Sequence, residues 1–178
     1  NSSSPSDLST KQTADIPFDT SLSPLPQVVT AFQPALVDAG NFATDILPAS
    51  VVVGDFNGDS EPDLAVTSLA DASVSVLLGQ GDGSFASALS YAVGSLPTSV
   101  AVGDFNADGN QDLATANTGT YDYATDTYQP SVSVLLGNGD GSFAAAVTYD
   151  AAGSALAVGD FNGDGKQDLA TNGVSVLL

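Results

Sequence analysis

Apolar and polar positions alternate along this chain in short stretches bounded by Gly, Asn and Asp, and the stretches recur in the same order. One is Ser99-Val100-Ala101-Val102 with its equivalents, and another is the Asp-Leu-Ala segment at 63, 112 and 168. A third is Val-Ser-Val-Leu-Leu, at 74–78, 132–136 and 174–178. The last is led by phenylalanine, as Phe85-Ala86-Ser87-Ala88-Leu89-Ser90-Tyr91 and Phe143-Ala144-Ala145-Ala146-Val147-Thr148-Tyr149. Valine-rich alternation predicts strands, and helix signals are nearly absent. Four short strands per repeat make an all-β chain. Phe32-Gln33-Pro34-Ala35-Leu36-Val37 matches the Phe-led opening, which places the repeats at about 29–84, 85–142 and 143–178. In the third, Thr171-Asn172-Gly173-Val174 predicts a two-residue hairpin with a type I′ turn. Residues 1–28, rich in Ser, Thr, Pro and Asp, show neither period and read as a flexible tail or linker.

Between two strands of every repeat stands one loop, written three times. It is Asp55-Phe56-Asn57-Gly58-Asp59-Ser60-Glu61-Pro62-Asp63, then Asp104 to Asp112, then Asp160 to Asp168. Oxygen side chains hold positions 1, 3, 5 and 9: Asp55, Asn57, Asp59 and Asp63; Asp104, Asn106, Asp108 and Asp112; Asp160, Asn162, Asp164 and Asp168. Position 7 varies freely as Glu61, Asn110 and Lys166, which suits a position that contributes only its backbone carbonyl. Alternate side chains turn inward when a loop curls around a hard cation, and oxygen-only donors favour Ca2+. Carboxylates gathered within ~4 Å repel by about 4 kcal/mol per pair at an effective dielectric of 20, and a divalent cation removes that cost. Asp-Gly and Asn-Gly are also plain turn signals; threefold repetition between apolar strands favours three calcium sites. Ser60 replaces the glycine best suited to a left-handed conformation, which makes the first loop the weakest site.

Composition narrows the function. The 178 residues carry 21 acids against two lysines, a net charge of −19, with no histidine and no cysteine. That charge argues against nucleic acid and anionic membrane surfaces as partners, and no apolar run approaches a membrane span. Ten of the acids lie in the three loops, so metal loading offsets much of the self-repulsion. Without His or Cys there is no ordinary base or nucleophile, and most clustered acids are claimed by the loops, so the chain does not read as an enzyme. Loops of this kind suit the outside of the cell, where calcium is millimolar, which predicts a secreted or cell-surface protein. Gly79-Gln80-Gly81-Asp82-Gly83-Ser84 looks superficially like a phosphate cradle, but no helix follows and it reads as a turn. An insertion in the second repeat carries Tyr121, Tyr123 and Tyr128, which either anchor a protein or glycan partner or pack on their own repeat.

Together the Phe-led segment, the Ser-Val-Ala-Val-Gly-Asp-Phe-Asn-x-Asp-Gly-x-x-Asp-Leu-Ala run and the Val-Ser-Val-Leu-Leu strand closely resemble the FG-GAP/VCBS repeat of integrin α-subunit-like β-propellers, over residues 30–178. The resemblance implies one four-stranded antiparallel blade per repeat, with calcium in the loop between two strands. It implies roles in adhesion and in carbohydrate or protein binding, and so names a fold better than a function. Propellers close with four to eight blades, so three blades leave a ring open. The expected partners are other copies of the chain, or further blades of a larger protein, with strand addition by residues 24–37 alongside Val174–Leu178 as the proposed contact.

Overall fold

In the computed structural model, residues 40–178 are described. The proposed tail at 1–28, the Phe32 strand and the 24–37 segment lie outside the described residues. Thirteen strands form, and no helix forms among the described residues. The first sheet holds β1 (Pro48–Gly54), β2 (Asp63–Ser68), β3 (Ser73–Leu77) and β4 (Leu89–Ala92), in that order and antiparallel throughout. The second repeats the plan with β5 (Pro97–Gly103), β6 (Asp112–Asn117), β9 (Ser131–Leu135) and β10 (Val147–Asp150). Its insertion forms a small hairpin of its own, β7 (Tyr121–Asp122) with β8 (Thr127–Tyr128). The third holds β11 (Leu156–Gly159), β12 (Asp168–Thr171) and β13 (Val176–Leu177). These sheets are consistent with propeller blades.

Three features differ from the sequence expectation. The Phe-led segment supplies the outermost strand of the sheet before it, since β4 pairs with β3 and β10 with β9. The third sheet has three strands among the described residues, β11, β12 and β13, rather than four. The turn after β12 is not type I′. Val174 alone takes the left-handed φ, at 65°, and Thr171 N donates to Ser175 O at 2.9 Å, closing a three-residue loop. Asn172 is committed elsewhere: its Oδ1 accepts from Ser154 N at 2.7 Å and Ala155 N at 3.2 Å.

Alternation sends each strand's side chains to opposite faces, and here both faces of a middle sheet are covered. Phe56, Ala65, Val74 and Val76 of the first sheet pack against Val100, Leu113, Leu135 and Phe143 of the second. On the far face of the second sheet, Ala114 and Val132 meet Leu169 of the third, with Phe105, Val134, Val158 and Leu177 around them. The core is therefore a series of sheet-to-sheet contacts, as in repeat architectures. Ser75 and Ser133 of the Val-Ser-Val strands are buried too, and each finds a partner: Ser75 Oγ accepts from Asp45 N at 3.4 Å, and Ser133 Oγ from Asn117 Nδ2 at 2.9 Å and from Gly94 N at 3.0 Å.

Candidate functional site

Each acidic loop joins the first two strands of its sheet, between β1 and β2, β5 and β6, and β11 and β12. The backbone there must turn through left-handed conformations, taken by Gly58 and Ser60, Ala107 and Gly109, and Gly163 and Gly165. Ser60 sits at φ 69°, as expected for the position, and Ala107 at φ 59° is a second departure that sequence reading passed over. A left-handed residue with a Cβ costs about 1–2 kcal/mol, less the 0.4–1 kcal/mol of unfolded-chain entropy that glycine adds. Ser60→Gly and Ala107→Gly are each expected to raise stability by about 0.5–1 kcal/mol, measured by denaturant unfolding; a loss in both would contradict a strained loop.

In the first loop, Asp55 accepts from Gly58 N at 2.8 Å and Ser60 N at 3.0 Å. Asn57 Oδ1 accepts from Asp59 N at 3.1 Å, its Nδ2 donates to Asp59 Oδ2 at 2.8 Å, and Asp59 Oδ1 accepts from Glu61 N at 2.8 Å. The second and third loops repeat this pattern: Asp104 and Asp160 take the amides of Gly109 and Gly165, and Asp108 and Asp164 those of Asn110 and Lys166. The amide of Asn110 holds the Asp108 carboxyl below its ordinary range, and the amide of Gly165 does the same for Asp160. These side chains are exposed or half-buried, and each is turned onto its own loop.

Position 9 is different. Asp63 and Asp112 are fully buried at the start of their strands. Asp63 accepts from Phe56 N at 2.8 Å and from Gly79 N at 2.7 Å; Asp112 accepts from Phe105 N at 2.9 Å and Gly137 N at 2.8 Å. The position-9 carboxylate thus ties its own loop to the turn that follows the third strand. That turn comes so close that a Cβ on Gly137 would lie 2.2 Å from Gln111 O, so only glycine fits. Burial pushes the Asp112 carboxyl up. Among the described residues, Asp168 accepts from Phe161 N alone, at 2.9 Å.

Position 8, which sequence reading also passed over, couples neighbours. Gln111 Oε1 accepts from Asp55 N at 2.9 Å, and Gln167 Oε1 from Asp104 N at 2.7 Å. Each glutamine reaches from its own loop to the first aspartate of the loop before it. Pro62 holds this position in the first loop. Glutamine in two loops and proline in one was the available signal. Asp55, Phe56, Asn110, Gln111 and Gly139 line a polar groove of about 220 Å³ between the first two loops.

By donor chemistry the loops fit a hard cation: oxygen atoms only, three aspartates each at positions 1, 5 and 9, and no basic side chain among the described residues other than Lys166. By arrangement the loop carboxylates are closed onto amide groups, and no cluster of three or more acids shaped to hold a metal forms among the described residues. The tyrosines do come together. Tyr121 stacks edge-on with Tyr123 at 5.0 Å and Tyr128 at 5.1 Å, and Tyr123 is 90% exposed. The Tyr121 hydroxyl donates to Asp126, which raises its pKa.

Comparison with protein families matches residues 55–115 to an FG-GAP-like repeat, and residues 96–135 and 152–175 to the FG-GAP repeat. Together these spans cover more than half of the chain. No curated protein matches it.

Proposed function

The chain belongs to the FG-GAP repeat family across residues 55–175, and from that premise we propose that it is a calcium-stabilised, non-catalytic β-repeat module serving assembly or adhesion outside the cell. FG-GAP repeats are generally structural modules. The observation that carries the reading is the threefold acidic loop with little countercharge: 17 acids in residues 40–178 face one lysine, Lys166 of the third loop. In each loop the side chains at positions 1, 3 and 5 would hold the ion, with the backbone carbonyl of Glu61, Asn110 or Lys166. Asp63, Asp112 and Asp168 stand at the base of these loops and complete the proposed donor sets. Bound calcium supplies charge neutralisation and cross-links a loop whose carboxylates otherwise depend on its own amides. Millimolar calcium outside cells supports the extracellular setting.

Binding only to the folded form raises stability by about 2.7 kcal/mol per site at a hundredfold excess over Kd. Melting in millimolar calcium is therefore expected well above melting in chelator. Coincident curves would count against the proposal.

The tyrosine cluster favours a second role for the same module, contact with a glycan or protein. Rigid, exposed aromatic rings anchor partners at low entropic cost. Tyr123→Ala with Tyr128→Ala is expected to abolish binding on a glycan array without lowering the melting temperature; unchanged binding would assign the cluster to packing.

A further inference from the structure

Asparagine is followed by glycine at four places among the described residues: Asn57-Gly58, Asn138-Gly139, Asn162-Gly163 and Asn172-Gly173. This pairing is open to one covalent change, because a glycine without Cβ lets its amide nitrogen approach the asparagine side chain. The nitrogen bonds to Cγ, and Nδ2 leaves as ammonia with the proton that the backbone amide gives up. Water then opens the five-membered imide, leaving aspartate or isoaspartate. The reaction needs a backbone amide able to give up its proton and a side-chain carbonyl able to move to meet it. The fold withholds one or both from three of the four pairs. Gly58 N donates to Asp55 Oδ1 at 2.8 Å, and Gly163 N to Asp160 Oδ1 at 2.6 Å. Asn57 is held at both ends by Asp59, at 3.1 and 2.8 Å, and Asn162 likewise by Asp164, at 2.8 and 3.3 Å. Asn172 is fixed by three bonds: its Oδ1 accepts from Ser154 N and Ala155 N, and its Nδ2 donates to Ser154 Oγ at 3.1 Å.

Asn138 differs. It is exposed, in the turn that follows β9. Among the described residues, neither its Oδ1 nor the Gly139 amide has a hydrogen-bond partner. One bond engages its side chain, from Nδ2 to Ser142 Oγ at 2.9 Å. The first sheet has the same turn, closed by Gln80 N to Ser84 O at 3.0 Å as Asn138 N closes to Ser142 O at 3.0 Å. There the residue is glutamine, whose longer side chain would have to form a six-membered ring. The turn at Asn138 also lies against the second acidic loop. A Cβ on Gly139 would be 2.4 Å from Asn110 Oδ1, and Gly137 N donates to Asp112.

We propose that Asn138 is a site of spontaneous deamidation in the folded protein, and that the acidic loops protect Asn57 and Asn162 from the same reaction. The change adds one negative charge beside the second loop. Isoaspartate also lengthens the turn backbone by a methylene, next to the amide that Asp112 holds. The modification thus loosens the second loop with time, while the first loop, faced by Gln80, is spared. None of this depends on calcium.

The test is incubation of the intact chain in mildly alkaline buffer with chelator, folded and in urea, with each pair followed by peptide mapping and mass spectrometry. In urea the four pairs are expected to react at comparable rates. In the folded chain Asn138 keeps about its urea rate. Asn57 and Asn162 react about tenfold slower or more, because an amide donated to a carboxylate must first be released, and Asn172 is slowed with them. Asn138→Gln, the residue that the first turn already carries, should abolish the change at that position and leave circular dichroism and melting as they were. Asp160→Ala should free Gly163 N and switch on the reaction at Asn162, with Asn57 still slow. A folded chain that leaves Asn138 intact, or that reacts first at Asn57 or Asn162, overturns the proposal. An Asp160→Ala chain, folded by circular dichroism, in which Asn162 stays unreactive overturns the protective role of the loop.

Discussion

Asp112→Ala is expected to destabilise the fold by about 3 kcal/mol, an effect that Asp63→Ala should match because Asp63 is buried with the same two amide contacts. The carboxylate is fully buried and accepts from two backbone amides, Phe105 N and Gly137 N. Removing it strands both donors in a site closed to water, at about 1–3 kcal/mol each. Some of that is returned, because burying the charge is itself costly, as the upward shift of the group indicates. Asp168→Ala removes one such bond and should cost about 1 kcal/mol. The comparison is made by urea unfolding in chelator, which separates the hydrogen-bonding role from any metal role. Equal losses at the two positions would contradict the assignment of Asp112 as the tie between loop and turn.

Phe143→Ala is expected to cost about 3 kcal/mol, in line with large-to-small changes in packed cores. The ring is 7% exposed and meets Phe56 and Tyr91 edge-on. Its backbone bridges to Gly137 at the end of the second sheet, ahead of β10, while its ring sits in the core shared with the first. Hydrogen exchange should therefore quicken in both β3 and β9. A loss confined to the second sheet would show that the two sheets are energetically separate.

The strands were legible because their period and boundaries are local properties. Val-Ser-Val-Leu reads as a strand, and β3 and β9 lie there, although in the third copy only Val176–Leu177 pairs and Val174 falls in the turn. Assignment of the Phe-led segment to its sheet was not legible, because repetition has no marked beginning; only pairing of β4 with β3 decides it. Left-handed Ala107 was hidden because the aspartates around it match the pattern and alanine is unremarkable in composition. The reach of Gln111 to Asp55 spans 56 positions, a contact that only the stacking of sheets creates. The buried role of Asp63 and Asp112 escaped for a related reason: an acid in an acidic loop looks like a ligand, and its second partner lies beyond the next strand. The turn at Asn172 went astray because the side chain's distant partners override the local preference.

The central claim, that three loops of one pattern hold calcium, is tested most directly by calorimetric titration of the folded chain with calcium at low ionic strength. The account predicts close to three equivalents, with the loops carrying Ser60 and Ala107 weaker than the third, and a fall to two when Asp160 and Asp164 are both changed to Asn. No binding heat up to millimolar calcium, or an unchanged count in that variant, would contradict it.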